Sequence, residues 1–134
     1  MNISIKYIGD LRTECKHQGS GEIIITDAPL DNHGKGEAFS PTDLLAASLA
    51  SCMITVMGIK ASQNGFTLGE VRAELEKKMT NNPRLIGLIR IQMKVKNMNY
   101  SDQQKQILQE AAENCPVALS LSEKVKQELI IAYY

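Results

Sequence analysis

The stretch Ser40-Pro41-Thr42-Asp43-Leu44-Leu45-Ala46-Ala47-Ser48-Leu49-Ala50-Ser51-Cys52-Met53-Ile54-Thr55-Val56-Met57-Gly58-Ile59 decides how the rest of this chain is read. Ser40 can cap a helix, Pro41 suits the first helical position, and Asp43 completes a capping-box-like pattern. The helix is expected to run to about Ser62, with Asn64-Gly65 ending it. No charged residue falls between Leu44 and Ile59. As a helix that stretch rises about 24 Å, short of a bilayer core. Ser48, Ser51, Thr55 and Gly58 dilute it further. A helix apolar nearly all round is expected at the buried centre of a soluble protein, not across a membrane. A chain of 134 residues has trouble surrounding such a helix alone, so burial against a second copy is expected.

Upstream, the chain reads as strands. Ile3, Ile5 and Tyr7 alternate with polar positions. After a turn at Gly9-Asp10, Leu11, Thr13, Cys15 and His17 share one face, expected inward, while Arg12, Glu14 and Lys16 share the other. Gly19-Ser20-Gly21 turns the chain into a short strand through Ile23, Ile24 and Ile25. From Asp27 to Phe39 periodicity fades around Pro29, Asn32, Gly34 and Gly36, which predicts a mobile loop of functional length.

Downstream comes a hairpin. Val71, Ala73, Leu75 and Met79 alternate with Glu70, Arg72, Glu74, Glu76 and Lys78. Asn81-Asn82-Pro83 turns the chain, and Leu85, Gly87, Ile89, Ile91, Met93 and Val95 form the next apolar face. Ser101 with Gln104 starts a second helix. Asn114-Cys115-Pro116 breaks it and opens a short third one, and Val125 to Tyr133 ends the chain as a strand. The order β-β-β-α-β-β-α-α-β is that of one α+β domain over residues 1–134, with segregated, mostly antiparallel strands.

The formal net charge is zero and neither half is a charged tail. That argues against a nucleic-acid partner, which favours a basic stripe. Met1 is followed by a strand-like stretch, not a basic segment and an apolar run, so a cytoplasmic protein with reduced thiols is expected. There is no G-x-x-x-x-G-K loop, no G-x-G-x-x-G after a strand and no G-x-S-x-G. The chemistry then rests on three cysteines. Cys52 lies mid-helix: either a small core residue or a reactive thiol that must borrow a cation or donor from elsewhere. Cys115 precedes Pro116, at a helix start where backbone N–H groups favour a thiolate; a buried connector is the alternative. Cys15 reads as core. Cys15-x-His17 lacks the paired ligands a metal needs, and His33 is the one other histidine.

Ser40 to Cys52 resembles the Pro-x-Glu-Leu-Leu-x-Ala-Ala-x-x-x-Cys helix of the OsmC/Ohr family. Cys115-Pro116-Val117 resembles that family's second motif, a Cys-Pro-Val at the start of a late helix. Gly36-Glu37-Ala38-Phe39 and the element order match too, so the resemblance covers nearly the whole chain. It implies an OsmC-like fold, an intertwined homodimer with a long central helix from each subunit, and thiol-dependent reduction of hydroperoxides in oxidative-stress defence. Some branches prefer organic peroxides. By this resemblance Cys52 is the peroxidatic thiolate, Cys115 is the resolving thiol and an external dithiol resets the pair, without metal, haem or flavin.

Two departures stand out. The family's peroxidases place an Arg in the turn after the second strand and a Glu just after the helix Pro. Here that turn is His17-Gln18-Gly19-Ser20-Gly21, and Thr42 holds the Glu position with Asp43 next to it. Other branches use the later position, so Asp43 is the candidate carboxylate. Asp43 precedes Cys52 by nine residues, about 13.5 Å along a straight helix and half a turn around it, so it cannot touch the Cys52 of its own helix. The candidate cations, in order, are His17, Arg12 and Lys35. A catalytically weakened OsmC-like dimer that binds small molecules, and a structural dimer whose thiols are core, are the alternatives.

Overall fold

The computed structural model describes every residue from Met1 to Tyr134. Its elements are β1 (Ile3–Gly9), β2 (Arg12–His17), β3 (Ile23–Asp27), α1 (Pro41–Gln63), β4 (Val71–Met79), β5 (Ile86–Val95), α2 (Asp102–Glu113), α3 (Pro116–Ser120) and β6 (Lys126–Tyr133), with one 3-10 turn at Leu30–Asn32. The chain divides into two compact units, Met1–Leu45 and Ala46–Tyr134, each with its own sheet. The fold is α+β, as the element order predicts.

In the first unit β1, β2 and β3 form an antiparallel meander. Gly9, Asp10 and Leu11 all take positive φ, which makes the β1–β2 turn tight and starts β2 at Arg12. The loop after β3 is tied down rather than free. The Asp27 N–H donates to the Phe39 carbonyl (3.1 Å), closing the loop at its neck. The Gly36 N–H reaches Ala28, and Gly34 and Asn32 both reach the Pro29 carbonyl. A Cβ on Gly34 would fall inside the Ala28 carbonyl, so only glycine fits there. The loop expected to be mobile is thus hydrogen-bonded along most of its length.

The second unit holds the main core. The apolar residues Ala46, Leu49, Ala50, Met53, Met57 and Ala61 recur at helical spacing on one face of α1 and are buried. They cluster with Ile89, Ile91, Met93 and Val95 of β5 and with Leu108, Ala111 and Ala112 of α2. The rest of α1 is less enclosed: Leu45, Ser48, Ser51, Thr55 and Ile59 are exposed. By length and composition α1 could cross a membrane, with a mean hydropathy of 1.8 over its best window. Its one-sided burial in the core instead reads as a core helix with a second face still uncovered.

The sheet order is β4-β5-β6. β4 and β5 pair antiparallel, but β6 lies parallel to β5. A parallel neighbour requires a crossover, which α2 and α3 supply. Arg90 stitches all three strands from the outer face, donating to Glu128 (2.6 Å) and Glu76 (2.9 Å). A bulge at Lys78/Met79 shifts the register, so Ile86 rather than Leu85 or Gly87 is buried at the start of β5. Ala73 and Leu75 of the edge strand β4, expected in the core, are exposed. At α2, the Ser101 side chain accepts from the Gln104 N–H while Gln104 accepts from the Ser101 N–H, the reciprocal pair its sequence predicts.

Candidate active site

Two thiols meet in the second unit. Cys52 lies mid-way along α1 and is half-buried; Cys115 caps α3 and is fully enclosed. Pro116 at the first helical position keeps the preceding residue extended, and Cys115 has φ −67° and ψ 152°. That turns its Sγ back over the helix start, where it accepts the Ala118 N–H at 3.5 Å. Cys52 lies within hydrogen-bonding reach of the Cys115 sulfur although 63 positions separate them in sequence. All cysteines are in the free thiol state.

Electrostatics makes the pair unequal. Burial pushes the Cys115 thiol above its ordinary value of 9.0. The Ala118 N–H opposes that shift, and Cys52 raises it further through a hydrogen bond and its charge. A hydrogen bond that favours the protonated form is one in which the Cys115 S–H donates and the Cys52 sulfur accepts. The backbone N–H groups at the start of α3, expected to favour a Cys115 thiolate, are outweighed by burial. The raised value also gives a pH dependence. Folding keeps a proton on Cys115 that the unfolded chain releases, so this stabilisation is complete below the unfolded value and is lost as pH rises through the folded one. The stability difference between wild type and Cys115→Ala, from urea midpoints, should therefore shrink as pH rises above the ordinary thiol value of 9.0. A constant difference would contradict the protonated assignment.

The remaining expected residues lie in the first unit. Asp43 is engaged at the start of α1: its Oδ2 accepts the Ser40 N–H (3.0 Å) and the Ser40 hydroxyl accepts the Asp43 N–H (3.0 Å). This is a capping box with aspartate in the third helical position. His17, expected to point inward, is exposed instead. Its Nδ1 lies 2.7 Å from the Ser20 hydroxyl and accepts the Ser20 N–H at 3.2 Å, so the ring serves its own turn. Lys35 is exposed in the tied loop. Cys15 is half-buried opposite Ile5 and Ile24.

Arg12, expected on a solvent face, is half-buried. Its Nη1 lies 3.8 Å from a Glu37 carboxylate oxygen, and its Nε is enclosed with no partner. Directly across the sheet sits Asp27, fully buried. Asp27 Oδ2 accepts the Glu37 N–H (3.0 Å), and Oδ1 is enclosed without a partner. A half-buried guanidinium beside a loop glutamate, on the strand opposite a buried aspartate, is the most constrained cation of the three candidates. Sequence reasoning missed Asp27. Its signal was an acidic residue closing the apolar run Ile23-Ile24-Ile25 on a strand opposite an arginine.

The sequence profile of the family described as OsmC-like protein matches residues 34–129. Among solved structures, the chain is similar to a candidate osmotic stress induced and detoxification response protein from Psychrobacter arcticus. The two are 45% identical with a TM-score of 0.91, over 98% of this chain and 96% of that one. An OsmC-like protein from Mycoplasma pneumoniae shares the fold at 16% identity and a TM-score of 0.80, over 98% of this chain and 94% of that one. So does an organic hydroperoxide resistance protein OsmC from Legionella pneumophila, at 17% identity and a TM-score of 0.73, over 98% and 97% of the two chains. No curated protein matches the chain. With the profile spanning most of the chain and a relative nearly half identical along its whole length, this protein belongs to the OsmC family.

Proposed function

We propose that the protein is a thiol-dependent hydroperoxide reductase in which Cys52 attacks and Cys115 resolves. The observation that carries this reading is the asymmetry of the pair: a half-exposed thiol beside a fully buried, proton-holding one. The Cys52 thiolate attacks the terminal oxygen of the hydroperoxide; the O–O bond breaks and the alkoxide leaves, taking a proton to become an alcohol. Cys52 is then a sulfenic acid. The Cys115 sulfur displaces its hydroxyl, forming the Cys52–Cys115 disulfide and water. An external dithiol reduces that disulfide and is itself oxidised, which suits a reducing cytoplasm. Organic hydroperoxide resistance proteins among the structural neighbours support the substrate class. Cumene hydroperoxide should be consumed with dithiothreitol as reductant; a purified, fully reduced protein that consumes none would overturn the reading.

Arg12, half-buried beside Glu37, is proposed as the assisting cation in preference to His17, which is committed to Ser20. The rate of Cys52 alkylation should fall in Arg12→Ala across pH 5 to 9 and hold in His17→Ala.

The functional unit is proposed to be a homodimer. Ile3, Ile5 and Tyr7 line one face of the first sheet at 60%, 69% and 63% exposure, and Leu75 and Ile59 are uncovered in the second unit. Single exposed apolar residues are ordinary, but contiguous rows mark an interface. Sedimentation at micromolar concentration should give twice the 14.8 kDa chain mass; a stable folded monomer would contradict it.

A further inference from the structure

A hollow of about 690 Å³ lies on the outer face of the β4-β5-β6 sheet, lined by Arg72, Glu74, Gln92, Lys94, Ala132 and Tyr134. Alternation along β5 turns Ile91, Met93 and Val95 into the core and Gln92 and Lys94 outward. The hollow is therefore on the side of the sheet away from α1, and the thiol chemistry above uses none of it. Its volume lies in the range of small-molecule sites.

Strand register sorts the lining into two rungs. Arg72 lies opposite Lys94 across β4 and β5, and Glu74 lies opposite Gln92 one same-face step along. The first rung is cationic; the second offers acceptors, a carboxylate and an amide carbonyl. The rungs are about 7 Å apart along the strands. Two cations directly opposite each other repel. Arg72 offsets part of this by donating from Nε to Glu70 (2.7 Å). The other charges on this face are engaged: Arg90 with Glu76 and Glu128, Lys78 with Glu76, and Lys126 with Glu128. Lys94 and Glu74 join no ion pair, although they are diagonal neighbours of opposite sign. The hollow thus holds one uncommitted cation and one uncommitted carboxylate, on adjacent rungs. On the β6 side Ala132 faces Lys94 with only a methyl group, which leaves room beside the cation. Tyr134 stands exposed at the rim.

We propose that this hollow binds a zwitterion, an α-amino acid with an aromatic side chain. The ligand's carboxylate sits on Lys94 and the Arg72 guanidinium, its ammonium on Glu74 and the Gln92 carbonyl, and its ring over Ala132 against Tyr134. A simple anion would satisfy the cationic rung and leave Glu74 facing it; a simple amine would do the reverse. Binding also removes the repulsion within the first rung. The site needs neither thiol, so it stands or falls apart from the reductase reading.

Calorimetric titration of the full-length protein tests the site with L-phenylalanine and three analogues: hydrocinnamate lacks the ammonium, phenethylamine the carboxylate and L-alanine the ring. L-phenylalanine should bind wild type with a Kd of about 1 mM. Hydrocinnamate and phenethylamine should each bind about fivefold more weakly, the upper end for one exposed ion pair. L-alanine should also bind more weakly, for want of the ring contact. Lys94→Gln should remove the preference for L-phenylalanine over phenethylamine, and Glu74→Gln the preference over hydrocinnamate. Lys94→Gln also relieves the like-charge rung, so its urea midpoint should equal or exceed that of wild type while its binding falls. No heat from L-phenylalanine at about 10 mM, or equal affinity for it and both singly charged analogues, overturns the proposal. So does binding that weakens as protein concentration rises while sedimentation shows a species larger than a dimer, which would put a second copy on this face.

Discussion

Cys52→Ser should lose at least about a thousandfold in steady-state hydroperoxide consumption, because a hydroxyl at that position supplies almost no anion at neutral pH. Cys115→Ser should behave differently. Its Cys52 can still attack once, so each chain should consume a single equivalent rapidly and then stall as a sulfenic acid. Only direct attack by the external dithiol would carry it further. Stopped-flow measurement of the first turnover separates the two variants. A lost burst in Cys115→Ser with a retained burst in Cys52→Ser would reverse the roles. The structural ground for the order is the enclosure of Cys115 and the burial that keeps its proton on.

Ile89→Ala should destabilise the protein by about 2–5 kcal/mol, read as a lower urea midpoint with unchanged slope. Ile89 is fully buried at the centre of β5, where the α1 face and α2 converge. Truncation there removes apolar burial and leaves a void the packed helices cannot collapse to fill. Ile130 of β6 carries the same side chain on the outer sheet face at 54% exposure. Ile130→Ala should stay within about 0.5 kcal/mol of wild type. Equal losses at the two positions would contradict the placement of the core.

Local rules made most of the fold readable from the sequence. The start of α1 was legible because Ser40 and Asp43 satisfy each other's backbone donors, an arrangement decided within four residues. The same holds for Ser101 and Gln104. Cys115-Pro116 was legible as a helix start because proline constrains the residue before it. The features that escaped depend on partners distant in sequence. Alternation finds β6 but is silent on its direction, and the crossover through α2 and α3 makes it parallel. A bulge beside Met79 moves the buried position to Ile86, which strict alternation cannot anticipate. His17 falls at the end of its strand, where Ser20 captures the ring before alternation can turn it inward. The loop from Ala28 to Phe39 looks irregular in sequence because its order comes from backbone bonds and from the buried Asp27, not from side-chain periodicity. The proximity of Cys52 and Cys115 was readable only through the family resemblance. No local rule joins residues 63 positions apart.

Mass mapping of the wild-type protein after one equivalent of cumene hydroperoxide tests the central claim most directly. The predicted product is a disulfide between Cys52 and Cys115 of the same chain, with Cys15 still free to be alkylated after unfolding. A disulfide that contains Cys15, or a treated protein in which Cys52 and Cys115 both remain alkylatable thiols, would contradict it.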